Sequence, residues 1–278
     1  MREAQNGVLC ITPTPIGNLE DITLRALNVL KSAYFIAAED TRHTRKLLNH
    51  YSIKTRLLSY REQNSAAAGE KILDALKNGF DIALVSDAGT PLVCDPGFSL
   101  VNLCRENNIP VTALPGASAI LPALILSGFD ITNFTFFGFF PRNNKHKKTA
   151  AKGILNCPNT AVFYEAPHRL AKTLKILAEH DKTRRAAIIS EISKIHEKTL
   201  FFTLAEAAAH FEETQALGEY VIVIEKSERP PENKADEHFD PKESVLSYMK
   251  EGLSKTEAVK RVAKERNVSK NEVYRLFF

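Results

Sequence analysis

The sequence contains no apolar run of the roughly eighteen residues needed to cross a bilayer. Its opening, Met1-Arg-Glu-Ala-Gln-Asn-Gly7, lacks the apolar core of a secretion signal, so a soluble cytoplasmic protein is the expectation. Four cysteines (Cys10, Cys94, Cys104 and Cys157) are scattered without a C-x-x-C pair, which indicates neither a zinc site nor a disulfide framework. The eight histidines form no H-E-x-x-H, and no metal is expected. G-x-G-x-x-G is absent, removing the nicotinamide-type fingerprint, and so are the phosphate-binding G-x-x-x-x-G-K-[ST] and the G-x-S-x-G nucleophile elbow. The common nucleotide, metal and serine chemistries are thus disfavoured.

What is present is a chain of 278 residues, long enough for two domains, with 44% hydrophobic residues to fill their cores. Its net charge of +4 is unevenly placed. The last 38 residues carry nine Lys/Arg against five Asp/Glu, so the excess lies there and the body is neutral. A basic tail on a neutral body suits either a polyanionic partner or a solvated helical surface.

Short apolar, β-branched runs alternate with amphipathic stretches from residue 8 to about 224. Strands are predicted at Val8–Thr12, Tyr34–Ala37, Ile82–Val85, Val111–Leu114, Phe134–Phe139, Ala161–Tyr164, Ala186–Ser190, Leu200–Thr203 and Tyr220–Ile224. Helices fall between them, among them Ile22–Leu30, Ala66–Lys77, Phe98–Asn107, Ala117–Leu126 and Leu170–Glu179. Such alternation argues for an α/β architecture with mainly parallel sheets. One α/β domain is expected at 1–128, a second at 129–226, a polar linker with Pro230-Pro231 at 227–240, and a small helical domain at 241–278. In that last part Ser254-Lys-Thr-Glu257 and Ser269-Lys-Asn-Glu272 read as capping boxes. Ala258, Val262 and Ala263 give one apolar face, and Val273, Leu276 and Phe277 another. Two short helices joined near Asn267, after a leading helix at 242–250, make a helix-turn-helix-like unit.

Four loops follow predicted strands, at the strand ends where open α/β sheets bind ligands. They are Thr12–Asn18 "TPTPIGN", Ala38–Lys46 "AEDTRHTRK", Ser86–Gly97 "SDAGTPLVCDPG" and Pro115–Ala119 "PGASA". Prolines fix φ, and glycines let a ligand approach the backbone. Together they describe a preorganised crevice that binds through main-chain groups, suited to a zwitterionic, adenosine-bearing ligand.

With "TPIGN", "AEDTR", "SDAGTPLVCDPG", "PGASA", "FFGFFPR", "FYEAPHR" and "GEYVIVIE", the chain resembles the bacterial 16S ribosomal RNA cytidine 2′-O-methyltransferases of the tetrapyrrole methylase superfamily from about Leu9 to Ile224. The resemblance implies two α/β domains with S-adenosylmethionine (SAM) between them, a homodimer, and the small ribosomal subunit as partner. It implies that SAM touches Ser86, Asp87, Ala88, Gly89, Thr90, Pro91 and Leu92, then Pro115, Gly116, Ala117, Ser118 and Ala119. Tyr164, Glu165 and Glu191 would close over it from the second domain. A methylase of the same fold acting on a tetrapyrrole-like ring is the alternative, and a nucleic-acid binder with an inert body is a third reading.

Methyl transfer to a ribose hydroxyl needs alignment, and a proton acceptor helps a poor nucleophile. Glu39 and Asp40 are the candidate acceptors, with Arg42 holding a phosphate, but "EDTR" reads more readily as a helix N-terminus. Two departures from the family pattern stand out. Cys94 replaces a usual Ser or Asn, and Tyr60–Asn64 lacks the histidines of many relatives, leaving Glu62 and Asn64 as its polar groups. RNA contacts are expected from Arg42, Arg45 and Lys46, and from Arg142, Lys145, Lys147 and Lys148 in what reads as a polar loop. His168-Arg169 would orient SAM or RNA, or open a helix after Pro167.

Overall fold

The protein is described here from a computed structural model, covering residues 6–227, 241–266 and 269–277. It falls into two compact units, 1–228 and 229–278. Most of the expected 227–240 linker, and the joint near Asn267, lie outside the described residues.

The first unit holds two five-stranded sheets. In the first sheet β1 (Leu9–Ile11), β2 (Phe35–Ala38), β3 (Leu57–Ser59), β4 (Ile82–Val85) and β5 (Val111–Ala113) are ordered β3-β2-β4-β1-β5, all parallel. The strands β1, β2 and β4 are buried along their whole length, as parallel strands covered on both faces must be. Leu9, Phe35, Ile82 and Leu84 pack with helices α3 (Ser65–Lys77) and α4 (Phe98–Glu106), through Ile72, Leu76 and Leu100. Ile36, Ala83 and Val85 point the other way, onto Leu30 of α1 (Leu24–Ser32) and Leu48 of α2 (Thr41–His50). This alternation is the period-two geometry of a strand. Strand β3 is not among the predicted strands; it is three half-buried residues at a sheet edge, too short to show a pattern.

The second sheet departs from the expected mainly parallel pairing. It is ordered β6-β7-β10-β8-β9, from β6 (Phe134–Phe139), β7 (Thr160–Glu165), β8 (Arg185–Ser190), β9 (Lys198–Thr203) and β10 (Tyr220–Ile224). Only β6 and β7 pair in parallel; the other three pairs are antiparallel. The last strand, β10, inserts between β7 and β8 and runs against both. Its five residues are all buried, so it reads as an apolar run whose direction no periodicity records. Helices α6 (Asn144–Leu155), α7 (Pro167–His180) and α8 (Leu204–Glu213) cover one face. Helix α5 (Ile120–Ser127), within the stretch expected to form the first domain, covers the other through Ile120, Ala123 and Leu124.

The second unit packs α9 (Pro241–Lys250), α10 (Lys255–Arg266) and α11 (Lys270–Phe277) around Val245, Ala258, Val259, Val262, Ala263 and Val273. The Ser254 capping box forms: Glu257 accepts from the Ser254 backbone N–H at 3.1 Å, and the Glu257 backbone N–H donates to Ser254 Oγ at 3.4 Å. The side chains of Glu272, Leu276 and Phe277, which the second box and second apolar face require, lie outside the described residues. Among the described residues no helix is long and apolar enough to cross a membrane, and no group of side chains is arranged to hold a metal.

Candidate active site

Because the first sheet is wholly parallel, the loops after β1, β2, β4 and β5 gather at one edge. The chain leaves β1 toward β2 on one side, and leaves β4 toward β5 on the other. The crevice between β1 and β4 is therefore a topological switch point. The Ser86–Gly97 loop lies there, tied down by main-chain bonds. The Thr14 and Gly89 N–H groups each donate to the other's carbonyl at 2.9 Å, forming an isolated antiparallel bridge. Thr14 Oγ1 donates to the Ser86 carbonyl at 3.2 Å, and Thr90 Oγ1 to the Ala117 carbonyl at 2.9 Å. Three loops are thus braced into one wall.

The loop holds four residues at positive φ: Gly89 (77°), Leu92 (71°), Cys94 (68°) and Gly97 (144°). A Cβ on Gly89 would stand 3.2 Å from Ile16 Cγ2, and one on Gly97 would stand 3.0 Å from Leu92. Leu92 and Cys94 have no such freedom, and a non-glycine residue held left-handed stores about 1–3 kcal/mol, typically at ligand-binding sites. Asn tolerates that conformation far better, so of the Ser or Asn usual at position 94, Asn has a backbone reason to be there.

Between the two sheets lies a cavity of about 480 Å³. From the first-sheet side Asp87, Ala88, Gly89, Thr90, Ser118 and Ala119 line it; from the second, Tyr164 and Glu165. Eight of the fifteen residues expected at the cofactor therefore share one cavity. Ser86, Pro91, Leu92, Pro115, Gly116, Ala117 and Glu191 are not in its lining. Several of these build the wall instead: Ser86 Oγ donates to the Ala88 and Gly89 carbonyls, both at 3.3 Å. Glu191 is spent elsewhere, accepting from Lys194 Nζ at 3.0 Å and from the Glu219 N–H at 3.2 Å.

Glu165 lines the cavity, yet its carboxylate is already saturated. It pairs with Arg169, accepts from Thr173 Oγ1 at 2.5 Å and from the Ala166 N–H at 2.8 Å, and its side chain is fully buried. Arg169 also donates to the Phe140 carbonyl at 3.1 Å. Arg169 is therefore an anchor of the β7–α7 corner, while His168, one position earlier, lines the cavity. Tyr164 lies among Phe136 and Phe139 at 5.1 and 5.2 Å between ring centroids, and burial raises its hydroxyl far above the ordinary tyrosine range.

Beside the cavity, on the first-sheet side, an open basin of about 830 Å³ is lined by Glu39, Asp40, Arg42, Arg61, Glu62 and Phe98, among others. Asp87, Cys94 and Asp95 line both spaces and form the wall where they meet. The carboxylates here differ sharply. Asp40 caps α2, accepting from the Arg42 N–H at 2.8 Å, and its other oxygen pairs with the Arg42 guanidinium at 3.2 Å. Those bonds hold it at about 2, so of the two candidate acceptors Asp40 is a helix cap and a weak base. Glu39 is shifted upward by burial and by Asp87, partly offset by Arg61. Asp95 is pushed up to about 6 by burial first, then by Glu39 and Asp87, against a hydrogen bond from Ser86. The sequence alone does not single out Asp95. Its signal was a second aspartate in a twelve-residue loop, directly before the Pro-Gly that opens α4.

The family model for tetrapyrrole (corrin/porphyrin) methylases matches residues 8–208, which takes in the braced loops and most of the second sheet. The chain belongs to the tetrapyrrole methylase family. "Ribosomal RNA small subunit methyltransferase I" of Bacillus subtilis is 43% identical over 271 residues, covering 96% of this chain and 93% of that protein. The protein of the same name from Thermotoga maritima is 43% identical over 222 residues, covering 80% of this chain and all of that one. Among solved structures, uroporphyrin-III-C-methyltransferase from Thermus thermophilus superposes with a TM-score of 0.56 at 20% identity, over 78% of this chain and 94% of that one. Diphthine synthase superposes with a TM-score of 0.61 at 13% identity, over 79% and 90%. These two share the fold.

The cofactor implied for this methylase, SAM, fits what the cavity offers. Its volume lies within the usual range of roughly 300–1,000 Å³ for small-molecule clefts, and apolar and aromatic walls meet main-chain groups of the braced loops there. Around the methylase site, Arg42, Arg45 and Lys46 are exposed on α2, the Arg42 side chain by 85%. The second basic group is placed differently from the expected polar loop: only Arg142 precedes α6, and Lys145, Lys147 and Lys148 sit in its first turns behind the Asn143 cap. Cations there oppose the helix dipole. An anionic partner would relieve that opposition.

Proposed function

We propose that this methylase transfers a methyl group from SAM to the 2′-oxygen of a cytidine ribose in 16S RNA of the small ribosomal subunit. The observation that carries the reading is the pair of adjoining spaces. One is a small-molecule cavity between the sheets; the other is an open basin, and they meet at Asp87, Cys94 and Asp95. When bound, SAM supplies an activated methyl group on a sulfonium. Asp87–Thr90, Ser118, Ala119, Tyr164 and Glu165 surround it, with Glu165 acting through the corner it anchors. The basin receives the nucleotide: Phe98, 73% exposed, offers a ring for a base, and Arg42, Arg45 and Lys46 offer cations for phosphates. Arg142, Lys145, Lys147 and Lys148 extend that cationic surface, and the basic α9–α11 unit supplies further phosphate contacts. In-line displacement needs donor and acceptor held in one geometry, so rigid walls at the junction account for much of the rate.

The chain acts in the cytoplasm as a homodimer, with a domain boundary near residues 128–129. Leu121 and Ile125, one turn apart on α5 and 55% and 69% exposed, form part of the interface with a second copy. The deciding experiment incubates the purified chain with methyl-labelled SAM and small ribosomal subunits, with a precorrin-type ring in parallel. Label on a 16S ribose supports the reading. Label on the ring alone replaces it with a small-molecule methylase.

A further inference from the structure

We propose that Asp95 is the catalytic proton acceptor for the ribose hydroxyl that this enzyme methylates. The inference rests on the methyl-transfer reading above and adds a residue to it. A methyl group passing from the cavity to an acceptor in the basin crosses the wall they share, so the groups lining both spaces are the ones within reach of the reacting atoms. Three residues do so. Asp87 is committed, its Oδ1 accepting the Asp40 N–H at 3.0 Å and so fixing the start of α2. Cys94 is a neutral thiol at physiological pH, raised by burial and then by Asp95. Asp95 is half-buried, and no cation pairs with it among the described residues.

The groups around Asp95 agree with this role. Burial disfavours its charged form most, Glu39 from the end of β2 and Asp87 from its own loop repel that charge further, and Ser86 offsets part of this by a hydrogen bond. Cys94 and Tyr164, from the loop and from β7, sit near enough that Asp95 raises both of them. Arg42 is paired with Asp40, and Arg61 donates to the Glu39 carbonyl at 2.8 Å. The outcome is a carboxylate at about 6, close to physiological pH, where a base is both available and strong. Glu39 lines the basin only. In the step itself Asp95 takes the proton of the 2′-hydroxyl as that oxygen bonds to the methyl carbon. The carbon–sulfur bond breaks with its electron pair remaining on sulfur, so the sulfonium becomes a neutral thioether and the carboxylate a neutral acid.

The test uses the full chain, SAM and small ribosomal subunits, comparing wild type with Asp95→Asn and Glu39→Gln. Asp95→Asn lowers kcat by about 100-fold or more and leaves calorimetric SAM affinity within about twofold. Wild-type kcat rises with pH through about 6, and the variant loses that rise. Independently of turnover, carbon-13 NMR of the free chain shows one aspartate carboxyl titrating near 6 that disappears in Asp95→Asn. A wild-type profile flat from about pH 5 to about pH 8, a variant keeping more than about a tenth of kcat, or a larger loss in Glu39→Gln would each overturn the proposal. If wild type transfers no methyl group to small subunits, the underlying reading fails and the proposal falls with it; the outcomes above arise only where wild type is active.

Discussion

The cavity between the sheets and the basin beside it share a wall but are built from different material. The cavity owes its shape to main chain: the Thr14–Gly89 bridge, the Thr90–Ala117 bond and a loop with four residues at positive φ. The basin owes its character to side-chain charge, with Glu39, Asp40 and Asp95 in three different electrostatic states. A space shaped by backbone responds first to added atoms; a space defined by carboxylates responds first to charge. On the proposed function, the contrast explains how one enzyme would hold a small donor rigidly and still meet a large, polyanionic acceptor.

The largest expected effect tests the anchor behind the cavity. Glu165→Ala leaves Arg169 buried and unpaired, which costs about 3–5 kcal/mol. For a body of this size that corresponds to a fall in Tm of roughly 10 °C, read by calorimetry. A fall of only a degree or two would mean the corner does not depend on the pair. Next, Gly89→Val places a β-branched residue at φ 77°, with its Cβ 3.2 Å from Ile16. SAM affinity drops by about tenfold, while affinity for ribosomal subunits is unchanged. Equal losses in both would erase the distinction between the two spaces.

A smaller effect belongs to the basin. Asp40 is held at about 2, below its ordinary range, so its contribution to stability is present above the unfolded-state pKa and is lost as pH falls through about 2. Asp40→Ala should therefore lower Tm by a few degrees at neutral pH, with the gap from wild type closing in strong acid. The smallest is Cys94→Asn, which relieves a left-handed cysteine and raises Tm by about 1–3 °C without changing SAM affinity. A decrease would show that the thiol's contacts outweigh the backbone strain.

Much of this was legible in the sequence because its signals are local. Nine of the ten strands among the described residues, the loops at one sheet edge and the Ser254 cap follow from periodicity, Pro/Gly placement and capping chemistry. Strand direction in the second sheet was not legible, since β10 pairs with β7 and β8 across more than 25 intervening residues and its all-buried run looks the same in either direction. The cation-bearing start of α6 looks like a loop in the sequence because three lysines in first turns run against helix preference. Asp95 escaped for another reason. Its proton affinity depends first on burial and then on Glu39 and Asp87, all of which only the folded sheet edge supplies.

If the donor binds in the cavity that Gly89, Ala119 and Tyr164 line together, Ala119→Trp fills its place. Calorimetric titration of SAM should give saturable binding to wild type and none to a variant whose melting curve is unchanged. Equal binding by both chains would place the donor elsewhere.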